Sequence, residues 1–266
     1  MIAEVMICAI AALGGGLIFA RSKRNKLYDD LGAHAKKVAA QNAFEFETSP
    51  RHAVPRFDNQ LAVVTDFLPE ASFAKLRAAT VQPLGPERSF VPAHKKGGTI
   101  AYETLIATAP LAVALYHSTA LKEFVSRVVG ARIYPTPIND QSSLSLLVYD
   151  RPGDHIGWHF DHNFYRGRHF TLLLAIHNEG SSEGGLSHAT LKAQAGASEI
   201  DVPTPANTLV LFEGAKVRHK VTPLLDGERR IILSMTYCAD PRARWWQGAS
   251  RRIKDTAFFG LRALWT

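Results

Sequence analysis

The sequence predicts an α+β chain with a mainly β core. Helices come first, an antiparallel sandwich, barrel or jelly roll follows, and an apolar segment precedes both. Three observations support this. Helical periodicity is confined to the part before Gly130. Beyond it, apolar runs at 144–149, 171–176, 208–212 and 230–237 are separated by Gly, Pro, Asp and Asn clusters, the spacing of short antiparallel strands. No internal repeat or low-complexity tract interrupts residues 61–240, so these form one domain of the 266-residue chain.

Taken in order, residues 5–20 carry no charge, and Arg21, Lys23, Arg24 and Lys26 follow at once. This approaches the ~20 apolar residues that span a bilayer. A cleaved signal peptide has its positive charge before the apolar run rather than after it. The expectation is a single transmembrane anchor over residues 1–21, with everything after Arg21 cytoplasmic by the positive-inside rule. A buried apolar helix or an organellar address accounts less well for the charge asymmetry. Residues 22–60 read as a juxtamembrane helix over 27–41 and a linker broken by Pro50 and Pro55. A strand is expected over 61–67, and Pro69 then opens a helix whose Phe73, Leu76 and Ala79 share a face. Residues 83–98 are polar, with Pro86, Pro92 and the run Lys95, Lys96, Gly97, Gly98. This segment is long for a connector and is a candidate lid. Leu121, Phe124, Val125 and Val128 make a second helical stripe, stopped by Gly130.

Residues 241–266 read as a tail helix in which Trp245, Trp246, Phe258, Phe259 and Trp265 alternate with six basic residues. That mixture suits a lipid headgroup layer or a single-stranded nucleic acid. A helix packed on the domain through Ile253, Ala257 and Leu261 is an equal alternative. The distribution of charge separates lipid from nucleic acid. The chain is +7 overall, yet residues 53–240 carry 18 basic and 18 acidic groups, and the excess lies in 21–52 and 241–266. A neutral body argues against a nucleic-acid cleft. With 46% hydrophobic and 21% charged residues the composition is that of a globular protein. Its two cysteines, Cys8 and Cys238, make no disulfide framework and suit a reducing compartment.

Six of the 11 histidines fall between His155 and His188. On a strand alternate residues share a face, so His159 and Asp161 would point the same way and could grip one ion. His219, between two strands, is the best third ligand. Two imidazoles and a carboxylate on one side of an ion form the ligand set of non-haem Fe(II) oxygenases. Arg230 opens an apolar strand, and alternation places it with Ile232 and Ser234 on the inner face while Arg229 faces outward. A buried guanidinium is the group that neutralises a carboxylate through two parallel hydrogen bonds. His155 and His162 lie outside the phase of the pair and read as residues around the ligands or the substrate pocket, while His177 and His188 read as surface loop residues.

With these residues in place, residues 61–237 resemble the 2-oxoglutarate-dependent Fe(II) oxygenases, in particular their prolyl-4-hydroxylase-like branch. The resemblance is carried by Tyr149, Asp150, Arg151, Pro152 and Gly153 leading to His159, by Arg168 and Thr171, by Gly184, Gly185 and Leu186, by His219 some sixty residues on, and by the strand from Arg230 to Tyr237. It implies a cupin-like double-stranded β-helix, or jelly roll, with flanking helices. Fe(II) would be held by His159, Asp161 and His219. The far carboxylate of 2-oxoglutarate would be held by Arg230, helped by Tyr149, Thr171 or Ser234. Prolyl-hydroxylase members often carry a second tyrosine at the place of Ala175, so the pocket lacks one hydroxyl. Asp161 stands where halogenating relatives have a small residue, which speaks for oxygenation. The implied cofactors are Fe(II), 2-oxoglutarate and O2, with ascorbate as an auxiliary reductant. The implied reaction is hydroxylation of a peptidyl, lipid or small-molecule substrate with release of succinate and CO2. The alternative is a membrane-tethered metal-binding or sensing jelly-roll module without turnover.

Overall fold

The computed structural model describes residues 22–23, 25–46, 53–82, 85–91, 94–181, 185–196 and 198–243. The expected anchor at 1–21 and all of the expected tail beyond residue 243 lie outside these. Among the described residues no helix is long and apolar enough to cross a membrane.

Among the described residues five α-helices precede most of the sheet. Helix α1 (25–41) is followed by α2 (Glu70–Val81), α3 (Tyr102–Thr108), α4 (Pro110–His117) and α5 (Thr119–Val129). The strands are β1 (Leu61–Val64), β2 (Glu87–Val91), β3 (Lys95–Ile100), β4 (Tyr134–Pro135), β5 (Leu144–Tyr149), β6 (His155–His159), β7 (Tyr165–Glu179), β8 (Leu191–Ala195), β9 (Ser198–Val202), β10 (Leu209–Glu213), β11 (His219–Val221) and β12 (Arg229–Ala243). Every pairing is antiparallel, in the order β1-β10-β7-β12-β5-β3-β6-β11-β8-β9, with β2 on β3 and β4 on β12. The sheet curls into a half-barrel because β3 is shared. Its Gly98 to Ile100 pair with β5, while Lys95 and Lys96 pair with β6.

Period-two alternation sorts the side chains into two cores. On β5, β7 and β12 the outward residues Leu144, Leu146, Leu172, Leu174, Leu233 and Met235 are fully buried beneath the helices. The helices meet them with Phe73 and Leu76 of α2 and with Leu121, Phe124 and Val125 of α5. Helix α5 is bounded as expected: the Ser118 hydroxyl accepts from Leu121 N–H, and Gly130 closes the helix at φ 64°. Helix α1, which contains the helix expected over 27–41, adds Ala35 and Val38 to this core and so packs on the domain. The inward residues Tyr149, Leu173, Ala175, Val210 and Ile232 form a second, smaller core with Ile156, Leu191 and Val221 from the opposite wall. Between these walls lies a cavity.

Several expectations are corrected. The strand expected over 61–67 ends at Val64. Most of residues 83–98, the candidate lid, forms the β2–β3 hairpin. Gly98 is required there because a Cβ would lie 2.9 Å from Pro86 Cβ. Helices α3 and α4 were not expected. In α4 five consecutive residues, Ala112 to Tyr116, are buried, so no amphipathic stripe marks it. Strand β12 runs to Ala243, three residues into the segment read as tail helix. His177 is not a surface loop residue: it lies in β7 at 8% exposure beside Arg77 and Glu179. His188 is on the surface, hydrogen-bonded to buried Glu228.

Candidate active site

His159 ends β6 and His219 begins β11, and the two are direct cross-strand partners. Their rings lie 4.1 Å apart between centroids. Each is fixed by its own backbone two residues earlier. His159 Nδ1–H donates to Gly157 O at 2.8 Å, and His219 Nδ1–H donates to Val217 O at 3.1 Å. A carbonyl can only accept, so in the neutral form of each ring the proton sits on Nδ1 and Nε2 presents a lone pair.

Those lone pairs face the same carboxylate oxygen. Asp161 Oδ1 is 3.7 Å from His159 Nε2 and 3.8 Å from His219 Nε2. Three acceptors therefore converge with no proton to share, an arrangement that a cation resolves. The donor atoms lie within 4.8 Å of one another, so the group can hold one metal ion. The set of two neutral imidazoles and a carboxylate matches non-haem Fe(II). Burial and the neighbouring His219 push the His159 imidazole down to about 4, which keeps it neutral and available as a ligand near pH 7.

Asp161 reaches this position differently from the way alternation predicts. Strand β6 stops at His159, and Asp161 lies two residues beyond it in the connection to β7. Three contacts replace the strand. Asp161 N–H donates to Gly214 O at 2.9 Å, the Thr171 hydroxyl donates to Asp161 Oδ2 at 2.5 Å, and the bare Cα of Gly214 packs against the carboxylate. A Cβ at Gly214 would lie 2.8 Å from Asp161 Cβ and 2.9 Å from Thr171 Oγ1, so only glycine fits without displacing the ligand. Thr171, expected at the cosubstrate, is thus engaged with the metal-site carboxylate.

The inner face continues from there in rows of cross-strand partners. Thr171 faces Thr236, and Leu173 faces Ser234, which in turn faces Ser145. At the far end Arg230 faces Tyr149. Arg230 is 1% exposed, its guanidinium carbon lies 5.4 Å from the centre of the Tyr149 ring, and its Nε has no hydrogen-bond partner. Its Nη2 reaches only Thr204 Oγ1, at 3.4 Å. Burying a guanidinium with donors unspent is costly. An incoming carboxylate satisfies it, and Tyr149, Ser234 and Arg230 all line the cavity that also opens on His159, Asp161 and His219. Arg229, as expected from alternation, points away and donates to Val81 O.

The turn between Tyr149 and His159 is built on Asp154, which is fully buried. Its carboxylate accepts from the Asp150 and Arg151 N–H groups at 3.1 Å and from Arg88 Nη2 at 2.6 Å, and Gly153 adopts φ 78°. Asp154 was not singled out in the sequence, although an Asx-type turn was legible in Asp-Arg-Pro-Gly-Asp. Of the remaining residues, His162 lines the cavity, stacked on Phe164, whereas His155 does not and instead donates to Gly153 O. Arg168 lies outside, bonded to Glu213 and Val129 O. Gly184 lies outside the described residues. His94, Lys95, Thr99 and His169 line the cavity unforeseen. The His94 ring meets the His159 ring edge-on at 5.6 Å, and Lys95 is buried at 3% exposure.

A curled antiparallel sheet thus carries a histidine–aspartate–histidine cluster opposite a buried arginine. Residues 144–237 match the model of the 2OG-Fe(II) oxygenase superfamily. The match spans about a third of the chain and makes that part similar to oxygenases whose name gives Fe(II) and 2-oxoglutarate as their cofactors. No curated protein sequence matches the chain. Solved structures show the same fold. A prolyl hydroxylase in complex with a hypoxia inducible factor peptide fragment, from Trichoplax adhaerens, aligns with TM-score 0.54 at 13% identity, covering 79% of this chain and 92% of that one. The α-ketoglutarate-dependent carbocyclase SnoK of nogalamycin biosynthesis gives 0.55 at 16%, covering 77% and 91%. The epimerase SnoN of the same pathway gives 0.55 at 12%, covering 76% and 81%.

Proposed function

We propose that the chain is a membrane-anchored hydroxylase in which His159, Asp161 and His219 hold Fe(II) and Arg230, stacked on Tyr149, holds the far carboxylate of 2-oxoglutarate, within a double-stranded β-helix. The observation that carries this is the convergence of the two proton-free Nε2 atoms on one Asp161 oxygen, in a cavity whose other end is a buried arginine. When bound, the iron and its cosubstrate supply the oxidative chemistry that forms succinate and CO2 and oxygenates a substrate C–H bond. The protein's residues hold and orient. The Gly157 and Val217 carbonyls set the histidine tautomers, Thr171 and Gly214 aim the carboxylate, and the apolar inner wall of Leu147, Leu173 and Ile232 excludes water.

The exposed Phe160 and the His94 and His162 rings frame the substrate side of the cavity. The uncharged segment 5–20 followed by Arg21 to Lys26 supports a single-pass anchor with the catalytic domain in the cytoplasm, where iron stays ferrous and 2-oxoglutarate is available. Together with the aromatic and basic residues after 240 it favours a lipid or membrane-delivered substrate. The test of turnover is succinate release from 2-oxoglutarate under Fe(II), O2 and ascorbate. Wild type is expected to release succinate, and His159→Ala to release none above background. No succinate and no bound iron in wild type would favour a sensing module instead. Deleting residues 1–26 is expected to lower turnover on membranes while leaving iron binding intact, and equal activity of the truncated chain would remove the lipid reading.

A further inference from the structure

A second group of chemistry-bearing side chains lies behind the cavity wall, in the helical layer. Tyr102 of α3, Tyr116 of α4 and Tyr237 of β12 are all buried. Tyr116 meets the Tyr102 ring edge-on with centroids 5.7 Å apart, and the Tyr237 ring at 5.1 Å. The Tyr116 hydroxyl donates to Thr236 O at 2.9 Å. Thr236 lines the cavity and faces Thr171, whose hydroxyl holds the Asp161 carboxylate. The Tyr116 phenol thus touches, from behind, a residue of the metal-site row. At the other end of the group the Tyr102 hydroxyl lies 2.5 Å from Nε2 of His117, a residue partly exposed to solvent.

The three phenols differ in what they can do with a proton. Tyr116 donates to Thr236 O, with the Thr136 hydroxyl also in reach, and Tyr237 donates to Tyr116 O. Carbonyls and hydroxyls accept a hydrogen bond but do not take up a proton near pH 7. Tyr102 alone of the three faces a base, and His117 Nε2 is its acceptor. Burial pushes the Tyr102 phenol up and the His117 imidazole down to about 4, the latter aided by Lys122 and Lys36, so the resting pair is a phenol and a neutral imidazole. An oxidised phenol is a far stronger acid than an imidazolium even in this setting. Loss of an electron from Tyr102 therefore carries its proton to His117.

We propose that Tyr102 and His117 form a redox-active pair, connected through Tyr116 to the metal site, that returns the site to its resting state when an oxidant forms there with no substrate to take it. The inference rests on the oxygenase reading above and goes beyond it. The oxidant is the iron-centred species left once 2-oxoglutarate has been decarboxylated. One electron passes to it from Tyr116, which is refilled from Tyr102. The Tyr102 O–H bond breaks, its proton joins His117 Nε2, and a neutral tyrosyl radical is left facing an imidazolium. Ascorbate, reaching His117 from the solvent side, supplies one electron to the radical, and His117 returns the proton to the phenol. Two such passes, with two protons from solvent and two ascorbates each oxidised by one electron, leave Fe(II) and water.

The test is freeze-quench electron paramagnetic resonance of the protein loaded with Fe(II) and 2-oxoglutarate and mixed with O2, without ascorbate or a primary substrate, with succinate counted in the same samples. Wild type is expected to accumulate a tyrosyl signal, recognised by its narrowing when the protein carries ring-deuterated tyrosine. Tyr102→Phe is expected to lose the signal, while its first-turnover succinate stays within twofold of wild type and the metal-free variant unfolds within a few degrees of it. His117→Gln keeps an acceptor but no base, and is expected to lose the signal too, which a merely structural hydrogen bond would not require. Tyr165→Phe removes the buried phenol bonded to Asp140 and is expected to keep it. With ascorbate present, Tyr102→Phe is expected to inactivate in fewer uncoupled turnovers than wild type. A signal that survives in Tyr102→Phe, or its absence from a wild type that releases succinate, overturns the inference alone. If wild type releases no succinate, the oxygenase reading falls and this inference with it.

Discussion

The two walls of the half-barrel are built by different physics. Strands β5, β7 and β12 are sandwiched: helices cover their outer face, where Leu146, Leu174 and Leu233 are inaccessible to solvent. Among the described residues, strands β6, β11, β8 and β9 have no helix behind them, and their outer face is polar. Trp158 carries Arg218 at 5.3 Å and Lys220 at 4.5 Å on its ring, and Lys192 pairs with Glu199 and Asp201. The thin wall supplies both histidines of the metal cluster, and the buttressed wall supplies Arg230, Tyr149 and Thr171. Stability is thus concentrated where the cosubstrate's far end would rest. At the metal end the geometry is held by hydrogen bonds to single carbonyls, by the Thr171 hydroxyl and by one glycine. Packing and metal affinity should therefore be separable by mutation.

The largest effect falls on the thin wall's cluster. Asp161→Ala is expected to lower Fe(II) affinity by more than about 100-fold, measured as metal retained after dialysis, while the unfolding temperature of the metal-free protein stays within a few degrees. A matching loss of stability would break the contrast between the walls. Next is the buttressed wall: Leu233→Ala should destabilise the fold by about 2–5 kcal/mol in urea unfolding and leave Fe(II) affinity per folded molecule unchanged. Gly214→Ala is expected to cost roughly 10- to 100-fold in Fe(II) affinity although residue 214 supplies no ligand atom, because the new Cβ displaces Asp161 and Thr171. Retained affinity in this variant would show that the Asp161 carboxylate is not held by the glycine.

pH separates the walls more gently. Burial lowers Lys95 from the ordinary lysine value of 10.5 to about 7, so between these values the unfolded chain binds a proton that the metal-free folded chain releases. Stability should therefore rise with pH across that window relative to Lys95→Met, and a flat difference between the two would contradict a buried amine. The smallest effect is expected from Trp158→Ala, about 0.5–1 kcal/mol in urea unfolding, since its cation–π contacts lie on the open face.

How far the sequence foretold this follows the same division. On β12 the alternation of Arg230, Ile232 and Ser234 against Ile231, Leu233 and Met235 is visible in the residue order, because that wall separates a wholly apolar core from a cavity that sets polar groups among apolar ones. His159, Asp161 and His219 were legible as residue types, but the reason Asp161 meets the histidines was not. Strand alternation places it correctly for the wrong cause, since β6 has already ended and Gly214, fifty-three residues later, does the aiming. Lys95 was hidden because Lys-Lys-Gly-Gly has little β propensity and reads as a solvated loop. Only pairing with β5 and β6 makes it a wall strand. Helices α3 and α4 were missed for the opposite reason: segments buried on nearly every side show no periodicity.

The central claim is that the His159, Asp161 and His219 cluster and the Arg230 end act on one iron and one 2-oxoglutarate. Its most direct test is anaerobic mixing of the protein with Fe(II) and 2-oxoglutarate, read by the visible absorption that a 2-oxo acid acquires on binding ferrous iron. Wild type is expected to develop the band with one equivalent of each, His159→Ala and Asp161→Ala to show none, and Arg230→Met to need at least about tenfold more 2-oxoglutarate. Absence of the band in wild type, or its persistence in Asp161→Ala, would contradict the account.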